Sequence, residues 1–334
     1  MKKLSILFAT VLAFCLVFTA CTDNSNPDSE QSTASTKPAA TDKVSVTTDA
    51  PAATATSAPV DAKSVNVYVL VENLEYSHVV EVKYKDEITT WDRSLGYVEA
   101  DGYDLLDTSL DFIVPNDGTE IEFTAIIREN APYKVTGWSG DFTADSETIK
   151  FTPDGKTIFL TVKVEPLYEN VALNSAVTSS FDLIEYEDGR WSAAYLTDGD
   201  VNMRFSTKPI TTVDPETMMP PEPVTIDLDL GAAKGFDTLC LIPRVDTFDA
   251  EGGVPNFPFD FEVLVSNDGT EFTSVLSVES EENVDSMMQI FALEQQNAQY
   301  LRLKVTQVGN MAADEGSQNP YRIQFAELLL FDAE

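Results

Sequence analysis

Residues 224–230 read Val-Thr-Ile-Asp-Leu-Asp-Leu, and residues 259–265 read Phe-Asp-Phe-Glu-Val-Leu-Val. Apolar and polar residues alternate with period two in both stretches, which is typical of strands buried on one face. Further strands are predicted at residues 236–242, 289–293, 300–305 and 323–331. Loops rich in Gly, Asn and Asp separate these strands, and helical periodicity is almost absent. The pattern predicts an antiparallel β-sandwich over residues 167–334.

A smaller β-rich unit is predicted at residues 63–166. Alternation is clear at 65–71 and at 78–84, a stretch that contains the single histidine, His78. Additional strands are predicted at residues 119–125, 148–152 and 156–164. The folded part of the chain is therefore predicted to be all-β, with His78 as an ordinary strand residue.

Part of this smaller unit resembles a known family of bacterial surface repeats. Asp117-Gly-Thr119 leads into a strand, Gly137-Trp-Ser-Gly-Asp141 follows, and the segment ends in an amphipathic strand. Over residues 116–164 these motifs resemble repeats related to the internalin B-repeat, which act mostly as compact β spacers. The resemblance implies that Trp138 is a core residue, and a role as a ligand platform is the alternative.

The N-terminus has the pattern of a secretion signal. Met1-Lys-Lys3 is basic, residues 4–20 are apolar, and Phe18-Thr-Ala-Cys21 precedes a polar segment. This arrangement resembles a bacterial lipoprotein signal peptide over residues 1–21, although Phe18 stands where Leu is usual. The resemblance implies cleavage before Cys21 and lipidation of its thiol. The alternative is an uncleaved membrane helix, for which the apolar run is short. Both place the rest of the chain on the extracellular face of the membrane, at the cell surface.

Residues 22–62 predict a disordered linker. They are rich in Ser, Thr, Ala and Pro and contain almost no large apolar residue. Such a segment cannot bury enough apolar surface to offset the entropy lost on ordering. We interpret it as a spacer that holds the folded units away from the membrane.

The net charge of the chain limits the kinds of partner that it can bind. The formal net charge is −35, so the surface repels nucleic acid, and membrane contact is expected only through the lipid anchor. The acidity favours solubility or the binding of divalent cations.

The cysteines exclude an intrachain disulfide. After cleavage, Cys240 would be the only free thiol, and it is predicted to be a small buried apolar residue.

Seven segments of the second unit together carry a family resemblance. They are residues 170–174, 196–205, 225–231, 241–244, 261–269, 298–303 and 324–328. In this order they resemble the discoidin, or coagulation factor 5/8 type C, domain and the related family 32 carbohydrate-binding modules. The resemblance implies a jelly-roll β-sandwich that binds a ligand at one end.

The resemblance also implies a structural Ca²⁺ ion, for which an Asp198-Gly-Asp200 loop would face Ala326-Glu327. Hard cations prefer carboxylate and main-chain carbonyl oxygens. Side-chain oxygens would come from Asp198 and Glu327, and main-chain oxygens from Tyr195, Asp200, Met203 and Ala326. Met203 departs from the family, in which Thr is common. The alternative is an Asp-Gly turn without an ion.

A carbohydrate site is implied at the loops near Arg244. Sugar-binding relatives use an Arg after Pro, polar loop residues and an aromatic ring. The candidate ligand-binding residues are Arg244, Trp191, Asp246, Asn256, Asn319 and Tyr321. A structural salt bridge is the alternative for Arg244, and core packing is the alternative for Trp191 and Tyr321.

The sequence offers little for catalysis. A single histidine outside the candidate pocket excludes the usual Ser-His and Cys-His arrangements. With 56 acidic residues, close carboxylate pairs arise by chance. We therefore predict a non-catalytic surface lipoprotein that binds a galactose-type or other glycan. One alternative is a protein-binding adhesion or assembly module with exposed apolar residues such as Met218, Met219 or Phe257. Another is an accessory subunit of a surface enzyme or transporter complex.

Overall fold

The computed structural model describes most of the two predicted units. The described residues are 63–91, 97–100, 103–106, 109–185, 191–244, 253–279, 284–312 and 321–333. The predicted signal peptide 1–21, its lipidation site Cys21 and the predicted linker 22–62 lie outside the described residues. Across the described ranges, no helix is long and apolar enough to cross a membrane.

The all-β prediction is confirmed in the first unit, which forms two four-stranded sheets and a two-stranded ribbon. Its strands are β1 Ser64–Val71, β2 Val80–Tyr84, β3 Glu87–Thr90, β4 Tyr97–Ala100, β5 Tyr103–Leu106, β6 Ser109–Pro115, β7 Ile121–Ile127, β8 Tyr133–Gly140, β9 Thr148–Phe151 and β10 Ile158–Pro166. One sheet has the order β6-β1-β10-β8, with β1 parallel to β10. The other has the order β3-β2-β7-β9 and is antiparallel throughout.

The second unit is the expected antiparallel β-sandwich. Its strands are β11 Ala176–Ser179, β12 Phe205–Ser206, β13 Val224–Pro243, β14 Asp260–Ser266, β15 Thr273–Val278, β16 Gln289–Gln307 and β17 Gln324–Phe331. The strand order is β12-β17-β13-β16-β14-β15, and β11 also pairs with β13. A short 3-10 helix, Ala193–Leu196, precedes β12.

Two of these strands are longer than the sequence predicts. The stretches predicted at 224–230 and 236–242 are both parts of β13, and those at 289–293 and 300–305 are both parts of β16. Register shifts interrupt the pairing of β13 with β16 and bend the pair. The first half of β13 pairs with β11, whereas its second half pairs with β17. β13 is therefore one continuous strand that joins the part of the sandwich containing β11 to the part containing β17.

Trp138 is a core residue, as the repeat resemblance implies. Its side chain is fully buried, and its Nε1 donates a hydrogen bond of 2.9 Å to the Glu147 carbonyl. Gly140 follows with φ of +111°, and a Cβ there would collide with the Phe159 carbonyl. The Gly-Trp-Ser-Gly motif is therefore explained by packing within the sheet.

The prediction that His78 lies in a strand is wrong. His78 ends a 3-10 helix, Leu74–His78, whose N-cap Asn73 accepts a hydrogen bond from the Glu75 amide. The His78 side chain is 4% exposed, and its Nδ1 lies 3.0 Å from the Ser286 carbonyl. The period-two pattern around residue 78 therefore continues only from Val80 onward.

The cores of the two predicted units are continuous. One cluster of buried apolar residues contains Trp138 and Leu160 of the first unit together with Cys240, Leu329 and Phe331 of the second. Main-chain hydrogen bonds also join the two units. The Met288 amide donates to the His78 carbonyl at 2.9 Å, and the Leu167 amide donates to the Pro132 carbonyl at 2.8 Å. Cys240 is fully buried in this cluster, and burial raises the pKa of its thiol.

Candidate functional site

A buried polar cluster lies where β12, β13 and β17 meet. Arg244, directly after β13, donates from Nη1 to Gln324 Oε1 at 2.7 Å. Asn256 Nδ2 donates to the same oxygen, also at 2.7 Å. Gln324 Nε2 in turn donates to Ser206 Oγ at 2.9 Å. These bonds fix the Arg244 guanidinium and the Asn256 amide against the first residue of β17.

An aromatic ring covers this cluster. The Arg244 Cζ lies 5.0 Å from the centroid of the Trp191 ring, and the Arg204 Cζ lies 5.9 Å from it. Both distances are within the range of a cation–π contact. Trp191 is half-buried, whereas Arg204 and Arg244 are only 2% and 5% exposed. Two guanidinium groups are therefore held beneath one indole ring.

Backbone pairing explains how these side chains meet. Trp191 forms an isolated parallel bridge with Arg204, and the next residue, Phe205, begins β12. Ser206 of β12 pairs with Gln324 of β17. Two main-chain hydrogen bonds hold Asn256 in place. The Asn256 amide donates to the Asn310 carbonyl, and the Gln324 amide donates to the Asn256 carbonyl. Main-chain contacts therefore bring these segments together, so the cluster is a built feature of the fold.

The predicted ligand residues therefore separate into three groups. Trp191, Arg244 and Asn256 come together in the cluster. The Tyr321 side chain is 8% exposed and packs in the hydrophobic core of the second unit. Asp246 and Asn319 lie outside the described residues. Phe257, the candidate for an exposed apolar residue, is 1% exposed, whereas its counterpart Met219 is 47% exposed.

Sequence reasoning missed three members of the cluster, Arg204, Ser206 and Gln324. Arg204 followed the Asp198-Gly-Asp200 segment and was interpreted with the metal loop. Gln324 lies within the strand predicted at residues 323–331, and the sequence predicts no binding role for this glutamine. The available signal was a polar residue at the start of a strand whose other residues are nearly all apolar. A glutamine there needs buried hydrogen-bond partners, which Arg244, Asn256 and Ser206 supply.

The predicted metal loop lies against Glu327, as the resemblance implies. The Gly199 amide donates to Glu327 Oε1 at 3.2 Å, and Gly199 has φ of +80°, which favours glycine. Asp198 Oδ1 accepts the Asp200 amide at 3.0 Å, and the Asp200 carbonyl accepts the Met203 amide at 2.9 Å. The loop is thus a tight turn whose acidic side chains approach a buried carboxylate.

Glu327 is the unusual group of this region. Its side chain is fully buried, and its Oε2 has no hydrogen-bond partner among the described residues. Burial, with added repulsion from Asp198, Glu75 and Asp200, raises the pKa of Glu327 to about 10. Burial also raises the pKa of Asp198. A buried carboxylate with an unpartnered oxygen is costly unless a cation or a proton neutralises it.

The backbone beside Glu327 carries a bulge. The register between β17 and β13 passes from the Glu327–Ile242 pair to the Phe325–Pro243 pair and skips Ala326. A bulge leaves the extra residue outside the hydrogen-bonded ladder. No three His, Cys, Asp or Glu side chains of the described segments are grouped to hold a metal ion. A cation here would therefore depend on main-chain oxygens, as the candidate set Tyr195, Asp200, Met203 and Ala326 supposes.

Comparison with known proteins agrees with this architecture. Residues 175–318 match the family model described as the F5/8 type C domain. No curated protein matches the chain. The second unit is accordingly a β-sandwich that contains the stretch matched by the F5/8 type C model.

Several solved structures are similar to part of this chain at low identity. The chitosan-binding module 1 of a chitosanase/glucanase from Paenibacillus sp. IK-5 is 20% identical, with 49% of this chain and 99% of that chain covered and a TM-score of 0.34. CpGH89CBM32-5 from Clostridium perfringens, in complex with GalNAc-β-1,3-galactose, is 19% identical, with 47% and 95% covered and a TM-score of 0.34.

Proposed function

We propose that this protein is a non-catalytic cell-surface lipoprotein whose second unit binds carbohydrate through the Trp191–Arg244 cluster. The observation that carries the proposal is the Trp191 ring stacked over the Arg244 guanidinium. An aromatic ring supplies a flat apolar surface for the C–H face of a sugar, and the buried guanidinium beneath the ring fixes its orientation. The F5/8 type C match of residues 175–318 supports the same assignment.

The cluster is preorganised for such a ligand. The bonds from Arg244 and Asn256 to Gln324 restrict both side chains before any ligand arrives. Preorganisation lowers the entropy lost on binding and favours affinity at a shallow site. Display of many copies on one membrane would add avidity. A galactose-type sugar is our first candidate, among other glycans.

The proposal includes a structural Ca²⁺ ion at the Asp198 loop. The unpartnered Oε2 of Glu327 and the bulge at Ala326 both fit a hard cation. Asp198 and Glu327 would supply side-chain oxygens, and Tyr195, Asp200, Met203 and Ala326 would supply carbonyl oxygens. Bound Ca²⁺ would neutralise the buried carboxylate and fix the loop that leads to Arg204.

The surface location rests on the first 21 residues. We propose that Cys21 carries a lipid and that residues 22–62 act as the spacer. Replacement of Cys21 by alanine is expected to release the protein from the membrane fraction into the medium, since the anchor would be lost. Immunoblotting of both fractions measures this effect. Retention of the variant in the membrane fraction would instead support an uncleaved N-terminal helix.

Arg244→Ala is expected to weaken glycan binding by at least about tenfold, because the Trp191 ring loses the guanidinium that holds it in place and must then be ordered on binding. Trp191→Ala is expected to do the same through loss of the stacking surface. The measurement is a glycan array on the full chain with Ca²⁺ present, followed by titration of the best sugar. The full chain is used because the two units share a core.

A matched control for Arg244 exists outside the cluster. The Arg302 Cζ lies 3.8 Å from the centroid of the Phe272 ring, and Arg302 is paired with Asp227 at 2.6 Å. Arg302→Ala therefore removes a similar contact and is expected to leave sugar binding unchanged. A folded wild-type chain that binds no glycan, or a sugar bound equally by all three variants, would refute the carbohydrate site.

A further inference from the structure

A second groove lies at the boundary between the two units, with a volume of about 460 Å³. The 3-10 helix Leu74–His78 contributes Glu75 and Tyr76 to its wall, and Tyr133 at the start of β8 lies beside them. The connecting segment contributes Tyr168 and Glu169 from the second unit. Neither unit would form this groove alone.

The groove combines an apolar floor with tyrosine rings. Its floor contains Leu329 and Phe331, which are 2% and 1% exposed. The Tyr133 ring packs edge-on against Phe331 with the centroids 5.9 Å apart, and Tyr76 packs edge-on against Tyr133 at 5.7 Å. Tyr168, at 38% exposure, stands at the rim. Tyrosine offers an apolar ring and a polar hydroxyl, which suits an amphipathic ligand such as a sugar.

The charge of the groove has one sign. Its lining residues include Glu75 and Glu169, and none of the lining residues is Lys or Arg. Asp198 also lines the groove, but its carboxylate is assigned to the proposed Ca²⁺ ion. Glu75 is held in place by a hydrogen bond of 2.5 Å from the Tyr133 hydroxyl. Carboxylates and aromatic faces both attract an organic ammonium group, the former by charge and the latter by a cation–π contact. An anionic ligand would be repelled here, in a chain of net charge −35.

We propose that this groove binds a saccharide that carries a free ammonium group, such as a glucosamine residue. The ammonium group lies near Glu75 and Glu169, and the sugar ring packs against Tyr76 and Tyr168. This site is distinct from the Trp191–Arg244 cluster, and the proposal stands independently of it. The first unit therefore contributes directly to binding and is more than a spacer.

The test is calorimetric titration of the full chain, in constant Ca²⁺, with a glucosamine oligosaccharide and with its fully N-acetylated counterpart of equal length. We expect the free amine form to bind at least about tenfold more tightly, because acetylation removes the charge. Tyr168→Ala and Glu169→Gln, both at exposed positions, are expected to weaken that binding without loss of fold. Phe159→Ala and Glu271→Gln are the matched exposed controls and are expected to bind as wild type.

Three outcomes would overturn the proposal. Equal binding of the acetylated oligosaccharide would remove the requirement for an ammonium group. Unchanged binding by Tyr168→Ala and Glu169→Gln would place the ligand elsewhere. Equal binding of a lysine peptide of the same length would show that the groove recognises ammonium groups of peptides and not a sugar.

Discussion

Phe331→Ala is expected to lower the free energy of unfolding by about 3 to 5 kcal/mol, the usual cost of deleting a buried aromatic ring. The Phe331 side chain is 1% exposed and belongs to the core cluster that joins both units. Its ring contacts Tyr133 of the first unit, so the cavity left by alanine lies on the boundary. The substitution therefore weakens the packing within the second unit and the contact between the two units.

Denaturant unfolding followed by tryptophan fluorescence measures this effect. Trp91 and Trp138 report on the first unit, and Trp191 reports on the second. We expect one transition for the wild type, because the core is continuous, and two separated transitions for Phe331→Ala. Phe159→Ala, which removes a ring that is 47% exposed, is the control and is expected to cost far less. A loss of less than about 1 kcal/mol in Phe331→Ala would show that the boundary contributes little stability.

The sequence predicted the fold class and several buried residues because period-two alternation directly reports which face of a strand is buried. Alternation does not report strand continuity, so β13 and β16 were each predicted as two strands. The segments between their halves, Gly-Ala-Ala-Lys-Gly at residues 231–235 and the mainly polar residues 294–299, are accommodated by register shifts instead of loops. The 3-10 helix at residues 74–78 was missed for a related reason, since a single short turn has almost no periodicity of its own.

The joined core could have been anticipated only in part. Residues 328–331 read Leu-Leu-Leu-Phe, a run that is apolar on both faces, and every residue of β17 is buried. A strand buried on both sides needs a second layer beyond the sandwich, and the first unit supplies it. The identity of that layer depends on long-range packing, which a local pattern does not contain. The groove lined by Tyr76 and Tyr168 is a consequence of the same packing.

The residues of the candidate sites were likewise predictable only in part. The family resemblance predicts that Glu327 lies beside the Asp198 loop. In the structure, the Gly199 amide of this loop lies 3.2 Å from Glu327 Oε1. Arg204 and Gln324 carried no motif of their own, because their role depends on partners that are distant in sequence. Met219 stays exposed, whereas Phe257 lies in the core, so the pair of apolar features that would favour a protein partner is reduced to one.

Glu327→Gln is expected to abolish stabilisation by Ca²⁺ while leaving the Ca²⁺-free protein nearly as stable as wild type. A ligand that binds only the folded state adds about 2.7 kcal/mol at one hundred times its dissociation constant. Glutamine keeps the oxygen that accepts the Gly199 amide but removes the negative charge that a cation requires. Without Ca²⁺, the raised pKa of Glu327 leaves its side chain neutral at pH 7, so the neutral amide is a close replacement.

Thermal unfolding of the full chain in excess chelator and in excess Ca²⁺ separates these two effects. The wild type and Glu222→Gln, a control at an exposed position, are expected to unfold at higher temperature with Ca²⁺. Glu327→Gln is expected to unfold at the same temperature in both conditions, and Asp198→Asn is expected to show a reduced response. Equal Ca²⁺ stabilisation of Glu327→Gln and wild type would place the ion elsewhere on this acidic surface. The Ca²⁺-dependent rise in the unfolding temperature of the wild type shows whether Ca²⁺ binds. Loss of this rise in Glu327→Gln shows that the ion binds at Glu327.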